Sequence, residues 1–467
     1  MRITFVSHAS FMLEAADTTL LCDPWTKGKA FNDGWSLLSP AAQVPYDRVD
    51  YIWVSHEHPD HFSFPTLRSI PEADRRRITV LYQRHGSPRL VDAFHKLGFG
   101  RVVELPLYRW ITLRMDFLVL CGSVGSMDSF LAVRSEDKCI LNLNDCVCTP
   151  AQSRYIRRLV GDVAVLFTQF SFANWIGNHA DQIHAVRTKL DELAYRVRLF
   201  KPEFTVPFAS FIYFCNAENS WMNDFMITPE HIAALELPGV NFMYPGDRWD
   251  SSQEGFHSEK AIQAYMRDIG NLTIDPTPPS VEPEKVREAI VKLLSMLRKR
   301  FGKTIAGRIR PFSIYAHDID CVFLASPRDA SCEIVRGDAR AAETARYAIC
   351  SQAAWYAFNF TWGWGTLEVS GMYLDRQFES HGANRFLNFW VNALSTDFLN
   401  FSSPARARRT VQFLWDKKFE LLYRFVTSRA SENHTSVPAR AGMAHPAASS
   451  SLENAPVGAR SQKINAE

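Results

Sequence analysis

The chain has 467 residues, a length that accommodates two or three domains. Hydrophobic residues make up 46% of it and charged residues 22%, as is typical of a globular protein. The net charge of +2 gives no indication of binding to nucleic acid or to an anionic membrane. Nine scattered cysteines, no recognisable signal peptide and no long apolar run predict a cytoplasmic protein with reduced thiols and no membrane span.

Short strands alternating with helices are predicted over the first half of the chain. A helix is predicted to begin with Ser87 as its cap and Pro88 at its first position. A second helix, Asp181–Leu199, is amphipathic, with its apolar face formed by Ile183, Val186, Leu190, Leu193 and Val197. The alternation predicts a layered α/β sandwich, and we place this domain at residues 1–255. The predicted strands are Ile3–Val6, Ser10–Glu14, Thr18–Leu21, Tyr51–Val54, Ile78–Tyr82, Arg101–Leu105, Phe130–Arg134, Cys139–Leu143, Val163–Thr168 and Phe204–Phe208.

The second half begins after a proline-rich connector that starts at Asp275. Glu282–Phe301 is predicted to be a helix, and alternating patterns near 312–324 and 365–373 predict strands. We therefore predict an α+β domain over residues 256–427. Residues 428–467 are rich in Ala, Ser, Pro and Gly, and we predict a disordered tail there.

The motif that carries most chemistry directly follows the predicted strand Tyr51–Val54. It offers four potential metal ligands in six residues, in the order His56-Glu57-His58-Pro59-Asp60-His61. His56 and His58 can point the same way and share one metal ion. Asp60 and His61 lie on the next turn and can reach a second ion. The motif therefore predicts a site for two metal ions.

Two neighbouring metal ions require a bridging carboxylate. Asp145, at the end of the second strand of the predicted hairpin, stands where such a ligand would lie, and a turn or capping role is the alternative. The second ion needs a further ligand from the loops after Val163–Thr168 or Phe204–Phe208. His179 is our first candidate for it, ahead of Glu218 and His231, although a solvated loop histidine is the alternative.

These residues resemble the catalytic part of the CMP-N-acetylneuraminate hydroxylase family, whose members are non-heme iron proteins with a metallo-β-lactamase fold. The resemblance implies a metallo-β-lactamase-like αββα sandwich with an appended α+β C-terminal domain. It is good over roughly residues 1–250 and weak beyond them. The segments that carry it are His8-Ala9-Ser10, Asp23-Pro24-Trp25, Ala30-Phe31, Gly34-Trp35, His56–His61, Phe64–Leu67, Met127-Asp128, Asn144–Cys146, Phe172-Ala173 and Pro207–Ala209.

Hydrolases of this fold usually carry a third histidine for the first metal, in a turn before the hairpin. Here the turn from Gly122 to Ser129 contains no histidine, and its ionisable side chain is Asp128. A carboxylate at this position favours iron or manganese over four-coordinate zinc. The diiron β-hydroxylase of chloramphenicol biosynthesis resembles this chain in that respect. A capping role is the alternative for Asp128.

Two departures from the resemblance bear on function. The hydroxylase family has a Rieske domain with a Cys-x-His plus Cys-x-x-His cluster, which this chain lacks, so an electron donor would have to be a separate protein. Where the family has a His-Pro pair, this chain has Asn216-Ala217, which leaves the last ligand of the second metal open.

We interpret the sequence as a diiron, O2-dependent oxygenase of a small polar metabolite. His56, His58 and Asp128 would hold one iron, Asp60, His61 and His179 the other, with Asp145 bridging; Asp128 and Asp145 are also the candidate catalytic carboxylates. For Trp362 and Trp364 we favour core packing, with a place in the pocket wall as the alternative. The competing interpretation is a zinc or manganese hydrolase of a phosphodiester or lactone. A third is a non-catalytic relative that uses the site as a scaffold.

Overall fold

The computed structural model describes residues 1–84, 88–125, 127–172, 174–175, 179–252, 255–377, 385–395 and 403–416. The described residues all belong to one compact unit, Met1–Lys418. The predicted tail over residues 428–467 lies outside the described residues. The domain boundary after residue 255 stays a prediction.

Two large sheets form the first half of the chain. The first has seven strands, in the spatial order β15 (Arg248–Asp250), β1 (Arg2–Ser7), β2 (Ser10–Ala15), β3 (Thr18–Cys22), β5 (Tyr51–Val54), β6 (Thr79–Gln83) and β7 (Arg101–Leu105). The second has six, in the order β13 (Phe204–Phe208), β12 (Val165–Gln169), β11 (Lys138–Asn142), β10 (Asp128–Ser135), β9 (Phe117–Val124) and β8 (Arg109–Arg114). A separate ribbon pairs β14 (Ile212–Phe214) with β4 (Trp35–Leu37). Each strand predicted for this half matches an observed strand to within two residues.

The sheets pack face to face, and helices cover their outer faces. Between the sheets, the Phe11 and Phe167 rings stack with centroids 4.1 Å apart, and Phe208 packs edge-on at 5.0 Å from Phe167. The outer face of the first sheet packs against α1 (Phe64–Ser69) and α3 (Arg89–Lys96), while that of the second packs against α4 (Pro150–Val160). The predicted αββα sandwich is therefore confirmed. The remaining helices of this half are α2 (Glu72–Arg77), α5 (His179–Phe200) and α6 (Pro229–Ala233).

The C-terminal part has mixed α and β content, as predicted. Its five-stranded sheet has the order β18 (Ser331–Arg336), β17 (Cys321–Ser326), β16 (Phe312–Ala316), β19 (Tyr347–Ile349) and β20 (Leu374–Asp375). Its helices are α7 (Glu259–Ile269), α8 (Pro283–Ala306), α9 (Ala339–Thr344), α10 (Ser351–Asn359), α11 (Gly363–Ser370), α12 (Arg385–Ser395) and α13 (Pro404–Asp416).

Three local predictions were wrong. The predicted strand near 365–373 is largely the helix α11, because a segment this apolar on all sides fits either period. Pro88 is the N-cap of α3 and not its first residue. Ile183 on α5 is 40% exposed, although it was assigned to the buried face. The buried residues of α5 include Lys189 and Arg196 beside Leu190, Leu193 and Val197, so its inner face is partly charged.

A second hydrophobic core joins the two halves of the chain. Trp25, Phe31 and Trp35, from loops and a short strand of the first half, pack in one cluster with buried residues of α8, α10 and α11. This cluster fixes the segment from Trp25 to Trp35 next to the carboxyl ends of the sandwich strands.

The carboxyl ends of several strands meet at one edge of the sandwich. β1, β3 and β5 run in the same direction in the first sheet, as do β11, β12 and β13 in the second. Loops that leave such ends are the usual place for a binding site in α/β sheets. His8, Asp23, His56 and Asp145 all follow these strands by one to three residues.

None of the nine cysteines, all of which lie within the described residues, forms a disulfide bond. Among the described helices, none combines the length and the apolar character that crossing a bilayer requires. The cytoplasmic location stays a prediction.

The hairpin that carries Asp128 offers a test of the packing. Gly122 on β9 pairs with Phe130 on β10, and a Cβ at Gly122 would lie 2.2 Å from the Phe130 ring. Because neither strand can retreat from the sandwich, we expect Gly122→Ala to lower the free energy of unfolding by about 1–3 kcal/mol. Urea denaturation measures the loss. Gly365→Ala is the control, since its Cβ would meet its nearest atom at 3.6 Å. Equal stability of the two variants would contradict the assignment.

Candidate metal centre

The histidine motif forms a compact turn between β5 and α1. The amides of His61 and Phe62 both donate hydrogen bonds to the carbonyl of His58, at 3.0 and 2.7 Å. This turn directs the side chains of the motif toward the carboxyl edge of the sandwich. His56 and His61 are fully buried, and Asp60 is 3% exposed.

One cluster of potential ligands consists of His56, His58 and Asp145. His56 Nε2 lies 2.8 Å from His58 Nδ1 and 3.6 Å from Asp145 Oδ2. Asp145 stands in the turn after β11, three residues beyond the end of the strand, and not at the strand end itself. The sequence motif placed His56 and His58 on the same metal, and the structure brings them together.

A second cluster consists of His8, Asp60 and His61. Asp60 Oδ2 lies 3.3 Å from His8 Nε2 and 3.2 Å from His61 Nε2. Asp145 Oδ2 is also 3.5 Å from His61 Nε2, so this one oxygen lies between the two clusters. That is the position that a bridging carboxylate needs.

His8 was not among the predicted ligands. It lies in the tight turn between β1 and β2, is 1% exposed, and packs edge-on against Trp25 and Trp35. A single histidine in a two-residue turn has no spacing that marks it as a ligand. The available signal was its position after a strand parallel to β5.

The other predicted ligands differ in how far the structure describes them. Asp128 begins β10, and its Oδ1 lies 4.0 Å from His56 Nε2, at the margin of the first cluster. His179 is the first residue of α5, and its side chain lies outside the described part of the chain. Glu218 instead pairs with His317 and Thr277, and His231 contacts Thr228 at the start of α6. Neither of these two joins a cluster.

Behind the ligands, three buried polar residues orient the rings. Asp23 Oδ2 accepts a hydrogen bond of 3.0 Å from His61 Nδ1, because a carboxylate can only accept, and this leaves Nε2 directed at the cluster. Ser55 Oγ contacts His56 Nδ1 at 2.9 Å with the same effect. Asn144 donates to both Asp23 Oδ2 and Ser55 Oγ. The backbone amide of Ser55 donates to Asp23 Oδ1 at 2.7 Å.

Burial and charge set the protonation of the clusters. Burial lowers the pKa of His8, His56 and His58, which favours the neutral imidazole that binds metal ions. Burial alone would raise the pKa of Asp60, but the facing His61 and His8 hold it well below its usual value. His61 shows the opposite balance: burial lowers its pKa, yet Asp60, Asp145 and Asp23 raise it well above its usual value. The site thus has excess negative charge that a bound cation would offset.

The residues present fit a pair of metal ions. Within the described part of the chain, the buried atoms Asp60 Oδ1 and Asp145 Oδ1 have no hydrogen-bond partner. Leaving such atoms unpaired costs about 1–3 kcal/mol each, which coordination to a metal ion would offset. The donor atoms are imidazole nitrogens and carboxylate oxygens, which suit iron, zinc or manganese.

Two cavities adjoin the clusters. An inner cavity of about 220 Å³ is bordered by ligands of both clusters and walled by Phe31, Trp35 and Phe172. An outer cavity of about 550 Å³ lies on another side of His58 and is lined by Trp362. Trp364 is buried in the second core, as predicted, whereas Trp362 is 45% exposed and lines the outer cavity, which was the alternative for it.

Comparison with known proteins agrees with this fold. Residues 2–167 match the Beta-lactamase superfamily domain. The chain is 29% identical over 237 residues to the cytidine monophosphate-N-acetylneuraminic acid hydroxylase of Danio rerio, over 47% of this chain and 39% of that protein. It is 30% identical over 189 residues to a protein of Mycolicibacterium smegmatis described as a Rieske 2Fe-2S iron-sulfur protein, over 38% of this chain and 35% of that protein. It therefore spans about two fifths of these relatives.

Solved structures include similar folds. One is CmlA, a diiron β-hydroxylase from Streptomyces venezuelae, with a TM-score of 0.33 and 18% identity over 58% of this chain and 52% of that one. Another is a possible metal-dependent hydrolase from Veillonella parvula, with a TM-score of 0.41 and 15% identity over 53% of this chain and 98% of that one. The family match and the two packed sheets show that the chain has a metallo-β-lactamase fold with an additional C-terminal α/β region. The resemblance to the hydroxylase family is confirmed.

The role of Asp23 can be tested without changing any ligand. Asp23 has a positive φ of 39°, which asparagine also tolerates, so Asp23→Asn keeps the local shape. An amide can donate to His61 Nδ1 and so favour the wrong tautomer; we expect metal affinity to fall about 10–100-fold. Metal-chelator competition measures it. Asp247→Asn is the control, because Asp247 also accepts a backbone hydrogen bond, from Tyr244, but lies away from the clusters. Unchanged affinity in Asp23→Asn would rule out this orienting role.

Proposed function

We propose that the chain is a non-heme diiron enzyme that uses O2 to hydroxylate or otherwise oxidise a small polar metabolite. One observation carries the proposal. Each of the two clusters combines two imidazoles with one carboxylate: His56 and His58 with Asp145, and His8 and His61 with Asp60. Two histidines and one carboxylate around a metal with open positions are typical of non-heme Fe(II) oxygenases.

The sequence relatives support the same chemistry. Several of them are hydroxylases of cytidine monophosphate-N-acetylneuraminic acid, at 27–29% identity. Because the chain spans only part of their length, neither their substrate nor their electron path transfers directly. Similarity to a Rieske protein supports an electron donor, which in our proposal is a separate protein.

The residues of the chain have distinct roles in this proposal. His8, Asp60 and His61 would hold one iron, His56, His58 and Asp128 would hold the other, and Asp145 would lie between them. The side chain of His179 remains a predicted further ligand. Bound iron would supply the reduction of O2. Phe31, Trp35 and Phe172 exclude water from the inner cavity. The outer cavity of about 550 Å³ has the volume of a small-molecule site.

A zinc or manganese hydrolase of a phosphodiester or lactone is the second candidate. His8 is the observation that favours it, because a fourth imidazole suits zinc. In that enzyme the metals would lower the pKa of a bound water. The two candidates differ in the metal that the protein retains and in whether it consumes oxygen.

Metal content tests the proposal directly. Protein purified from iron-supplied cells, without added metal, should contain about two iron ions per chain, because the two clusters provide two donor sets. After chemical reduction it should consume O2. His58→Ala should lose at least one ion, whereas His257→Ala, at an exposed position outside the clusters, should lose none. Two equivalents of zinc with no iron would refute the oxygenase.

Asp128 discriminates between the two candidates most sharply. If its carboxylate helps to select iron, Asp128→His should raise the zinc-to-iron ratio, because imidazole suits zinc and removes a negative charge. Elemental analysis and melting temperature are measured on the same preparation. Asp162→His serves as the control, since its side chain is fully exposed. An unchanged metal ratio with a lowered melting temperature would assign Asp128 to structure alone.

A further inference from the structure

A lysine is buried in the wall of the inner cavity. Lys189, on α5, is 8% exposed, and it borders the cavity together with Asp60 and Asp145. Lysine is almost never buried to this degree unless it is paired. Its position at a cavity wall, and not inside a packed core, indicates that its charge serves the cavity.

Two neighbours fix the position of the ammonium group. Lys189 Nζ donates to Gln169 Oε1 and to Glu192 Oε2, both at 3.1 Å. Gln169 Nε2 donates to the carbonyl of Ala209 at 3.4 Å, which leaves Oε1 to accept from Lys189. An ammonium has three donors, and the described residues supply acceptors for two of them. The third donor is available to a molecule in the cavity.

The charged side chains that α5 places behind the cavity do not cancel one another. Glu192 faces two cations, Lys189 at 3.1 Å and Arg196 at 3.6 Å. Arg196 is 1% exposed and donates to Thr168 Oγ1 and to the carbonyl of Cys146, next to Asp145. One carboxylate between two cations leaves one positive charge in excess on α5, and Asp145 of the metal clusters offsets it while no metal ion is bound. With the cluster carboxylates bound to metal ions, that charge is left for an anion in the cavity, because a buried charge is costly without a partner.

We propose that Lys189 binds a carboxylate or phosphate group of the substrate in the inner cavity, and so determines which end of the molecule faces the metal clusters. That this group belongs to a substrate rests on the proposed function, whereas the anion site itself does not depend on iron chemistry. The cavity of about 220 Å³ holds a group of this size but is smaller than the roughly 300–1,000 Å³ of sites for whole ligands. The rest of the molecule therefore extends out of the inner cavity.

Anion binding to the full-length, metal-loaded protein tests the proposal. Acetate and phosphate are the probes, and calorimetric titration gives their dissociation constants. One of the two probes will bind the wild type more tightly, and we expect Lys189→Met to raise the dissociation constant of that probe at least tenfold. In this variant only coordination to the metal ions would still hold the anion. Lys189→Arg should stay within about threefold of the wild type, since it keeps a cationic donor. Lys285→Met, at an exposed lysine on α8 that lines neither cavity, should change nothing. The tighter probe identifies the group as carboxylate or phosphate.

A second variant keeps the proposal testable if Lys189→Met folds poorly. Glu192→Gln removes the competing carboxylate and should tighten anion binding several-fold. Unchanged anion affinity in both Lys189→Met and Glu192→Gln would overturn the proposal and leave Lys189 with a structural role. The titration is performed on zinc-loaded and iron-loaded protein. If anion binding does not depend on Lys189 in either form, the anion site is refuted. If the purified protein contains no iron and consumes no O2, the oxygenase is refuted instead.

Discussion

The buried carboxylate of Asp23 connects the loops that carry the site. It accepts hydrogen bonds from the Ser55 amide, which follows β5, and from Asn144, which follows β11. It also accepts one from His61 of the histidine motif. Since Asp23 is inaccessible to water, each of these bonds is needed to offset the cost of burying its charge. The first sheet, the second sheet and the metal-binding turn are thereby held at fixed separations. The positions of the candidate ligands relative to one another therefore depend on the Asp23 carboxylate.

The sequence was informative wherever a local pattern determined structure. Strands such as Tyr51–Val54 could be predicted because four apolar residues between turn signals fit a buried parallel strand. The motif from His56 to His61 could be placed at a strand's end because it directly follows that run. Asp145 could be predicted to approach the motif, because a hairpin fixes where its strands end. The αββα architecture followed from the alternation of such strands with helices.

The missed residues depend on contacts that are remote in sequence. His8 becomes a ligand candidate because β1 runs parallel to β5, and that pairing of strands is not encoded near residue 8. Lys189 and Arg196 lie on the inner side of α5, whereas a helical wheel assigns Ile183 there and places charges outside. A helical wheel cannot identify the inner face of such a helix, because that face covers a cavity lined by charged residues. The sequence could not distinguish α11 from a strand, because the residues that pack around it belong to α10 and α12.

The second core also constrains the order in which the protein can mature. Phe31 and Trp35 wall the inner cavity and, at the same time, pack against side chains of α8, α10 and α11. During synthesis on a ribosome, the histidine motif emerges more than two hundred residues before those helices. The nascent site therefore lacks its aromatic packing until the C-terminal part has been translated. Any metal ion bound before that point would remain open to water and to exchange.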